Sequence, residues 1–111
     1  MNIQAIRKWL TTEWPRLLAM AHYNREYMYL PEPTGENSKF GHKIVSQVFE
    51  IFASMPYKQS NAFFLRYVLN LPLRDISAIT GLTTKRNQQL LNIALANFGD
   101  AFKPIYDFSK Q

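Results

Sequence analysis

Residues 73–98 restrict the fold more than any other part of the chain, because they have the pattern of two helices joined by a tight turn. Ile76 and Ile79 belong to a short first helix, and Gly81 tolerates the positive φ that a tight turn requires. Thr83 can cap a second helix. Apolar residues recur in that second helix at helical spacing, namely Leu90, Leu91, Ala94, Leu95 and Phe98. The stretch therefore predicts a helix-turn-helix.

The outward face of the second helix is polar and carries no acidic residue. Burial of its apolar positions leaves Lys85, Gln89, Asn92 and Ala96 facing away from the core. Its first two turns are crowded with side chains that can bond phosphates and base edges, namely Thr84, Lys85, Arg86, Gln88 and Gln89. Helix-turn-helix proteins insert this part of the second helix into the major groove. The pattern predicts that double-stranded DNA is the partner.

The motif also resembles a known family. The gapless spacing of Ile76, Gly81, Thr83, Leu90, Ala94, Leu95 and Phe98 resembles region four of bacterial sigma factors. Residues 64–67, Phe-Leu-Arg-Tyr, are similar to the helix that precedes that region, and the match extends over residues 56–99. The whole chain resembles the small sigma-like activators of phages and prophages, the ArpU-type autolysin regulatory protein family.

Two residues depart from the pattern of that family. Thr80 stands where the pattern usually has Leu, and Asn87 stands where it usually has Val or Ile. The departures predict either looser packing or a polar contact between the two helices.

The resemblance implies roles for individual residues. The base-reading positions of the family fall on Thr84, Lys85, Gln88 and Gln89, and the helical wheel selects nearly the same set. The expected phosphate contacts are Arg74, Thr83, Arg86 and Asn92. Arg66 could also contact phosphate, but an arginine in an aromatic helix is expected to lie over apolar surface and to pair with an acid such as Asp75.

The distribution of charge agrees with a polyanionic partner. The chain of 111 residues has a formal net charge of +5. Residues 1–55 are nearly balanced, whereas residues 56–99 hold Lys58, Arg66, Arg74, Lys85 and Arg86 against Asp75 alone. The basic excess therefore lies on the motif.

The N-terminal part, residues 1–55, is expected to be helical. Ile3, Ile6, Leu10 and Trp14 have helical spacing, and Pro15 is expected to end or kink this first helix. Thr11 or Thr12 can cap a second helix that carries Leu17, Leu18, Ala21, Asn24 and Met28 and ends near Leu30.

Residues 31–37 contain two prolines and a glycine and predict a loop. A buried helix should follow, with Ser38 as a cap and Met55-Pro56 at its end, and then another from Ser60 to Leu69. Gly99 is expected to cap the last helix, and the aromatic tail, residues 100–111, to pack back or meet a partner. Together these patterns predict an all-α fold, one domain of about five to six helices over residues 1–111.

Several functional classes are poorly supported. The chain has no cysteine, and His22 and His42 are far apart without paired carboxylates, so no metal site is expected. No nucleophile with its base is recognisable, so we expect neither an enzyme nor a cofactor. The apolar runs are interrupted by Arg66 and Asn70, which argues against a signal peptide or a membrane span and favours the bacterial cytoplasm.

The resulting hypothesis is a transcription regulator of phage or prophage type. The resemblance implies that the second motif helix reads a promoter element while another face contacts host RNA polymerase. The chain lacks a counterpart of the sigma region that melts the −10 element, so we expect an activator, of late or lysis genes, rather than a replacement sigma factor. The alternatives are a DNA-packaging or assembly protein and a polymerase-binding module without DNA contact. The apolar N-terminal helices and tail also permit a homodimer.

Overall fold

The computed structural model describes residues 3–106, and this part of the chain folds into five α-helices around one hydrophobic core. The helices are α1 (Ile3–Met20), α2 (Glu36–Ser54), α3 (Tyr57–Tyr67), α4 (Leu73–Thr80) and α5 (Thr84–Phe102). Between residues 3 and 106 no strand forms, and the only extended pairing is an isolated bridge between Asn24 and Tyr29. The predicted all-α class is confirmed. No helix in the described part of the chain has both the length and the apolar character needed to cross a membrane.

The N-terminal segment forms one helix through Pro15, and the predicted second helix starting at Thr11 or Thr12 is wrong. The two threonine hydroxyls donate back to the carbonyls of Arg7 (3.0 Å) and Lys8 (2.7 Å) within α1. Pro15 cannot donate to the carbonyl four residues before it. Buried side chains lie on both sides of the proline, from Ala5 to Leu18. Their packing keeps the helix continuous across one missing hydrogen bond.

Helix α1 ends at Met20, so the prediction of a helix reaching Leu30 is also wrong. His22 has a left-handed backbone (φ 57°), and the N–H groups of His22 and Tyr23 donate to the carbonyls of Ala19 and Leu18, both at 3.0 Å. This is the Schellman pattern of a helix C-terminus. Tyr23 and Leu30 pack partly against the core, but Met28, expected on the apolar face, is 61% exposed. Burial against Phe49 raises the pKa of Tyr23.

Helix α2 begins at Glu36, inside the loop predicted for residues 31–37, and crosses α1 closely. Its N-cap is Gly35, and Ser38, predicted as the cap, lies buried in the first turn, where its hydroxyl accepts the N–H of Thr34 at 3.4 Å. A Cβ atom on Gly41 would lie 2.9 Å from the backbone nitrogen of Ala21. The absence of a side chain at Gly41 therefore permits the close approach of α1 and α2.

Helices α3 and α5 differ from the prediction at their ends. Helix α3 begins at Tyr57 and ends at Tyr67, instead of running from Ser60 to Leu69. Helix α5 continues past Phe98 to Phe102, and Gly99, predicted to be its left-handed cap, lies buried within it. The extra turn buries Phe102, whose ring centroid lies 5.0 Å from that of Trp9.

Aromatic side chains connect the N-terminal helix to the C-terminal ones. The ring of Trp9 lies 6.2 Å from that of Phe98 on α5, and the indole N–H of Trp14 donates to the carbonyl of Tyr67 at 3.0 Å. Tyr106 packs 5.8 Å from Trp9, so this part of the tail packs back as predicted. Residues 107–111, including the aromatic Phe108, lie outside the described residues. Helix α1 thus packs against both α3 and α5 through its two tryptophans.

Candidate nucleic-acid interface

Helices α4 and α5 form a helix-turn-helix around Gly81. Gly81 adopts φ 76° and ψ 2°, the left-handed conformation, and its N–H donates to the carbonyl of Ser77 at 2.9 Å. Two residues later, the hydroxyl of Thr83 accepts the backbone N–H of Arg86 at 3.0 Å. The glycine turn and the threonine cap predicted from the sequence are both confirmed. Thr83 was also predicted to contact phosphate; its hydroxyl oxygen is an acceptor at the start of α5, and its O–H can still donate to a phosphate oxygen.

A buried polar cluster joins the two helices behind the turn. Asn87 is fully buried, and its side-chain N–H groups lie 3.2 Å from the hydroxyl oxygens of Ser77 and Thr80. The same amide nitrogen is 3.3 Å from the carbonyl of Leu82 and 3.1 Å from that of Thr83. The hydroxyl of Thr80 also accepts the N–H of Leu82 at 3.2 Å. Of the two consequences expected from Thr80 and Asn87, the structure has the polar contact.

The predicted base-reading residues divide into two groups. Thr84, Lys85 and Gln89 are exposed on the first two turns of α5. Gln88 is half-buried, and its side-chain N–H donates to the Oδ1 atom of Asn92 at 3.0 Å. Thr84, Lys85 and Gln89 therefore face solvent, whereas Gln88 lies on one flank of the helix.

The predicted phosphate contacts surround the same helix. Arg74 is exposed in the first turn of α4, with its Nε atom 3.9 Å from a carboxylate oxygen of Asp75. Their side chains are 86% and 53% exposed, so this ion pair is weak and leaves the guanidinium accessible. Arg86 donates to the Oε1 atom of Gln89 at 3.4 Å. No acidic residue occurs between Asp75 and Asp100, so the exposed face of α5 is positive along its first turns.

The predicted ion pair between Arg66 and Asp75 is wrong. Arg66 donates to the backbone carbonyl of Leu71 at 3.1 Å, in the loop that leads into α4. Asp75 is instead next to Arg74. Leu71 lies only five residues after Arg66, so the chain that follows α3 places its carbonyl beside the guanidinium. The hydrogen bond therefore forms to a backbone carbonyl and not to a carboxylate.

Arg7 is a functional candidate that the sequence did not indicate. Its Nη2 atom donates to the Oδ1 atom of Asn92 at 2.9 Å, although the two residues are 85 positions apart. Asn92 therefore accepts from both Arg7 and Gln88. The apolar spacing of Ile3, Ile6 and Leu10 leaves Arg7 on the polar side of α1, but no local signal gives the rotation of α1 against α5.

The contact between Arg7 and Asn92 forms part of the wall of a cleft of about 440 Å³ between α1, α3 and α5. It is lined by Arg7, Thr11, Arg66, Tyr67, Gln88, Leu91 and Asn92. Two arginines and no acid are among these residues, so the cleft is suited to an anion.

The titratable residues form no group of metal ligands within residues 3–106. No three His, Cys, Asp or Glu side chains come together there. The Nδ1 atom of His42 lies 3.4 Å from the hydroxyl of Ser46, a contact within one turn of α2.

Comparison with models of protein families, with curated proteins and with solved structures gave no match. The resemblance to sigma region four therefore depends on the residues of the motif alone.

Proposed function

We propose that the protein binds double-stranded DNA in a sequence-specific manner through the first two turns of α5. The observation that carries this proposal is the geometry of the motif. A left-handed Gly81 and a capping Thr83 present Lys85 and Gln89 to solvent on a face without acidic residues. Glutamine can bond adenine in a bidentate manner and lysine can bond guanine. These are the expected base contacts, and Arg74 and Arg86 would bind the phosphates beside them.

The support for α5 suits this role. A recognition helix discriminates between bases only if its side chains are held in a fixed position relative to the duplex. Asn87 ties the start of α5 to α4, and Phe98 packs at the other end against Trp9. Both ends of the helix are thereby fixed to other elements of the fold.

We further propose that the DNA target is a promoter element and that the protein activates transcription together with host RNA polymerase, in the bacterial cytoplasm. Its resemblance to the sigma-like phage activators supports this, and late or lysis genes are the expected targets. The symmetry of the DNA site that the protein selects will show whether one or two recognition helices bind it. A homodimer would select two half-sites about one helical turn apart, and a monomer would select one.

The test begins with selection of a preferred duplex from a randomised library, followed by fluorescence anisotropy on that duplex and on a random one. Gln89→Ala should lose about 1–3 kcal/mol on the selected duplex and relax the preference at one base position, because the bidentate contact is lost. Binding to the random duplex should change little. Gln4→Ala, which removes an exposed glutamine from α1, is the matched control and should change neither affinity.

Arg74→Ala should behave differently in the same assay. A phosphate contact carries no sequence information, so affinity for both duplexes should fall together. The slope of log K against log salt should decrease in magnitude by about 0.9.

Two results would contradict these assignments. If the wild-type protein has no salt-dependent affinity for any duplex, the DNA-binding proposal fails and a module that binds only protein replaces it. If Gln89→Ala and Arg74→Ala weaken both duplexes equally, DNA binding stands but the base-reading role of Gln89 does not.

A further inference from the structure

The cleft between α1, α3 and α5 contains two arginines with unused hydrogen-bonding capacity. Arg7 uses Nη2 for Asn92, and Arg66 uses Nη1 for the carbonyl of Leu71. Each guanidinium carries five N–H donors, so donors remain on both. Within residues 3–106, neither arginine forms an ion pair with a carboxylate. The positive charge of the cleft is therefore not compensated by the described part of the protein.

The cleft lies on one side of the proposed recognition face. Successive residues of an α-helix are about 100° apart, so Gln88 and Arg86 project to nearly opposite sides of α5. Lys85 and Gln89 project between them, toward solvent. Gln88 lines the cleft, and the cleft therefore flanks α5 on the side away from Arg86.

A helix in the major groove has a phosphate strand on each side. The groove is about 12 Å wide, close to the diameter of a helix with its side chains. Arg86 is available to the strand on one side of α5. On the other side, the cleft supplies two basic groups from outside the helix-turn-helix, Arg7 from α1 and Arg66 from α3.

We propose that Arg7 and Arg66 form a second phosphate-binding site, which holds the backbone of the DNA strand that runs along the cleft side of α5. The inference rests on the proposed function, since it takes the duplex as the ligand. Arginine binds phosphate through two parallel N–H groups, and both arginines line the same cleft. The N-terminal helix thus contacts DNA as well as supporting the motif.

The experiment measures the salt dependence of duplex affinity for wild-type protein, Arg7→Met, Arg7→Lys and Arg66→Met. Arg7→Met should weaken the selected and the random duplex by the same factor and lower the magnitude of the salt slope by about 0.9. Arg7→Lys keeps the charge and should keep the slope. Arg66→Met should lower the slope by a similar amount.

The matched control is Arg25→Met. Arg25 is exposed and follows the C-terminal end of α1, and Arg7 is separated from that end by about 20 Å of helix. Its removal should leave the slope unchanged. Circular dichroism checks that each variant is folded. If loss of the contact to Leu71 unfolds Arg66→Met, Arg7→Met carries the test alone.

The outcomes separate this proposal from the proposed function. An unchanged salt slope for folded Arg7→Met overturns the second phosphate site and leaves duplex binding through α5 intact. Loss confined to the selected duplex, at constant slope, also overturns it, because Arg7 would then act only by orienting Asn92 and Gln88. If the wild-type protein binds no duplex at all, both the proposed function and the second phosphate site are contradicted.

Discussion

Asn87 shows how one residue can fix the geometry of a helix pair. Its side chain is fully buried and lies within hydrogen-bond distance of two hydroxyls and two backbone carbonyls. A buried polar group is destabilising unless it is hydrogen-bonded, and a satisfied one restricts the packing to the arrangement that satisfies it. Ser77 and Thr80 belong to α4, so the cluster specifies how α4 and α5 meet.

The polar cluster leads to a prediction about stability. Asn87→Val should lower the free energy of unfolding by about 1–3 kcal/mol, because oxygens of the cluster lose their donor. Thr80→Leu should also destabilise the protein, since the N–H of Leu82 loses its acceptor. The double variant should lose less than the sum of the two, by about 0.5–3 kcal/mol, because two apolar side chains can pack together where one cannot.

Urea denaturation followed by circular dichroism measures this coupling between Thr80 and Asn87. Thr12→Val removes an exposed hydroxyl that bonds within α1, and its combination with Asn87→Val should be additive. Additive losses in the Thr80→Leu, Asn87→Val pair would show that the two side chains do not interact.

The positions of the candidate site residues could be predicted from the sequence where they depend only on the spacing within α5. Helical spacing correctly placed Lys85 and Gln89 on the exposed face. The predicted base-reading set also included Gln88, but its amide donates to Asn92, which in turn accepts from Arg7 of α1. Such a contact depends on tertiary packing, which no pattern within one helix encodes.

At the scale of elements, local signals were reliable where no core contact opposed them. The turn at Gly81 agrees with its composition, and so does the loop over residues 31–35, although α2 already begins at Glu36, inside the predicted loop. Pro15 was expected to end or kink a helix and Gly99 to cap one, and both lie inside a helix that continues. In each case buried side chains lie on both sides of the residue. Burial of apolar area then outweighs the propensity of a single residue.

Two glycines at helix ends should respond oppositely to the same substitution. Gly35, the N-cap of α2, has an extended backbone (φ −162°, ψ 176°) and no side-chain cap, so Gly35→Ser should add an acceptor and stabilise the protein by about 0.5 kcal/mol. Gly81→Ser should destabilise it by about 1–2 kcal/mol, because a left-handed φ is unfavourable for residues with a Cβ.

Urea midpoints of the two serine variants provide the comparison. A Cβ at either glycine would meet no atom within 4 Å, so steric overlap is the same in both and the backbone conformation decides the sign. A shift of both midpoints in one direction would contradict the assignment of Gly81 as a conformationally required glycine.

At the scale of the whole molecule, α1 connects the N-terminal part to the helix-turn-helix. Its face carries Trp9 and Trp14, which contact the two later helices that hold the motif, α5 and α3. The sequence predicted an amphipathic helix here, but its partner could not be predicted, since an apolar stripe packs equally well against any complementary face. The contact makes α1 part of the same core as the recognition helix.

This shared core predicts one cooperative unfolding transition. Tryptophan emission reports on the surroundings of Trp9 and Trp14, where α1 packs against α5 and α3, whereas far-UV circular dichroism reports on every helix. Leu95→Ala on α5 should lower the free energy of unfolding by about 2–5 kcal/mol, because Leu95 is fully buried, and should shift the urea midpoints of both signals equally. Ile93→Ala, at a position 45% exposed on the same helix, should shift neither by much. If Leu95→Ala moved the dichroism midpoint while the tryptophan midpoint stayed in place, the N-terminal helices would fold independently of the motif, and α1 would not hold α5 in position.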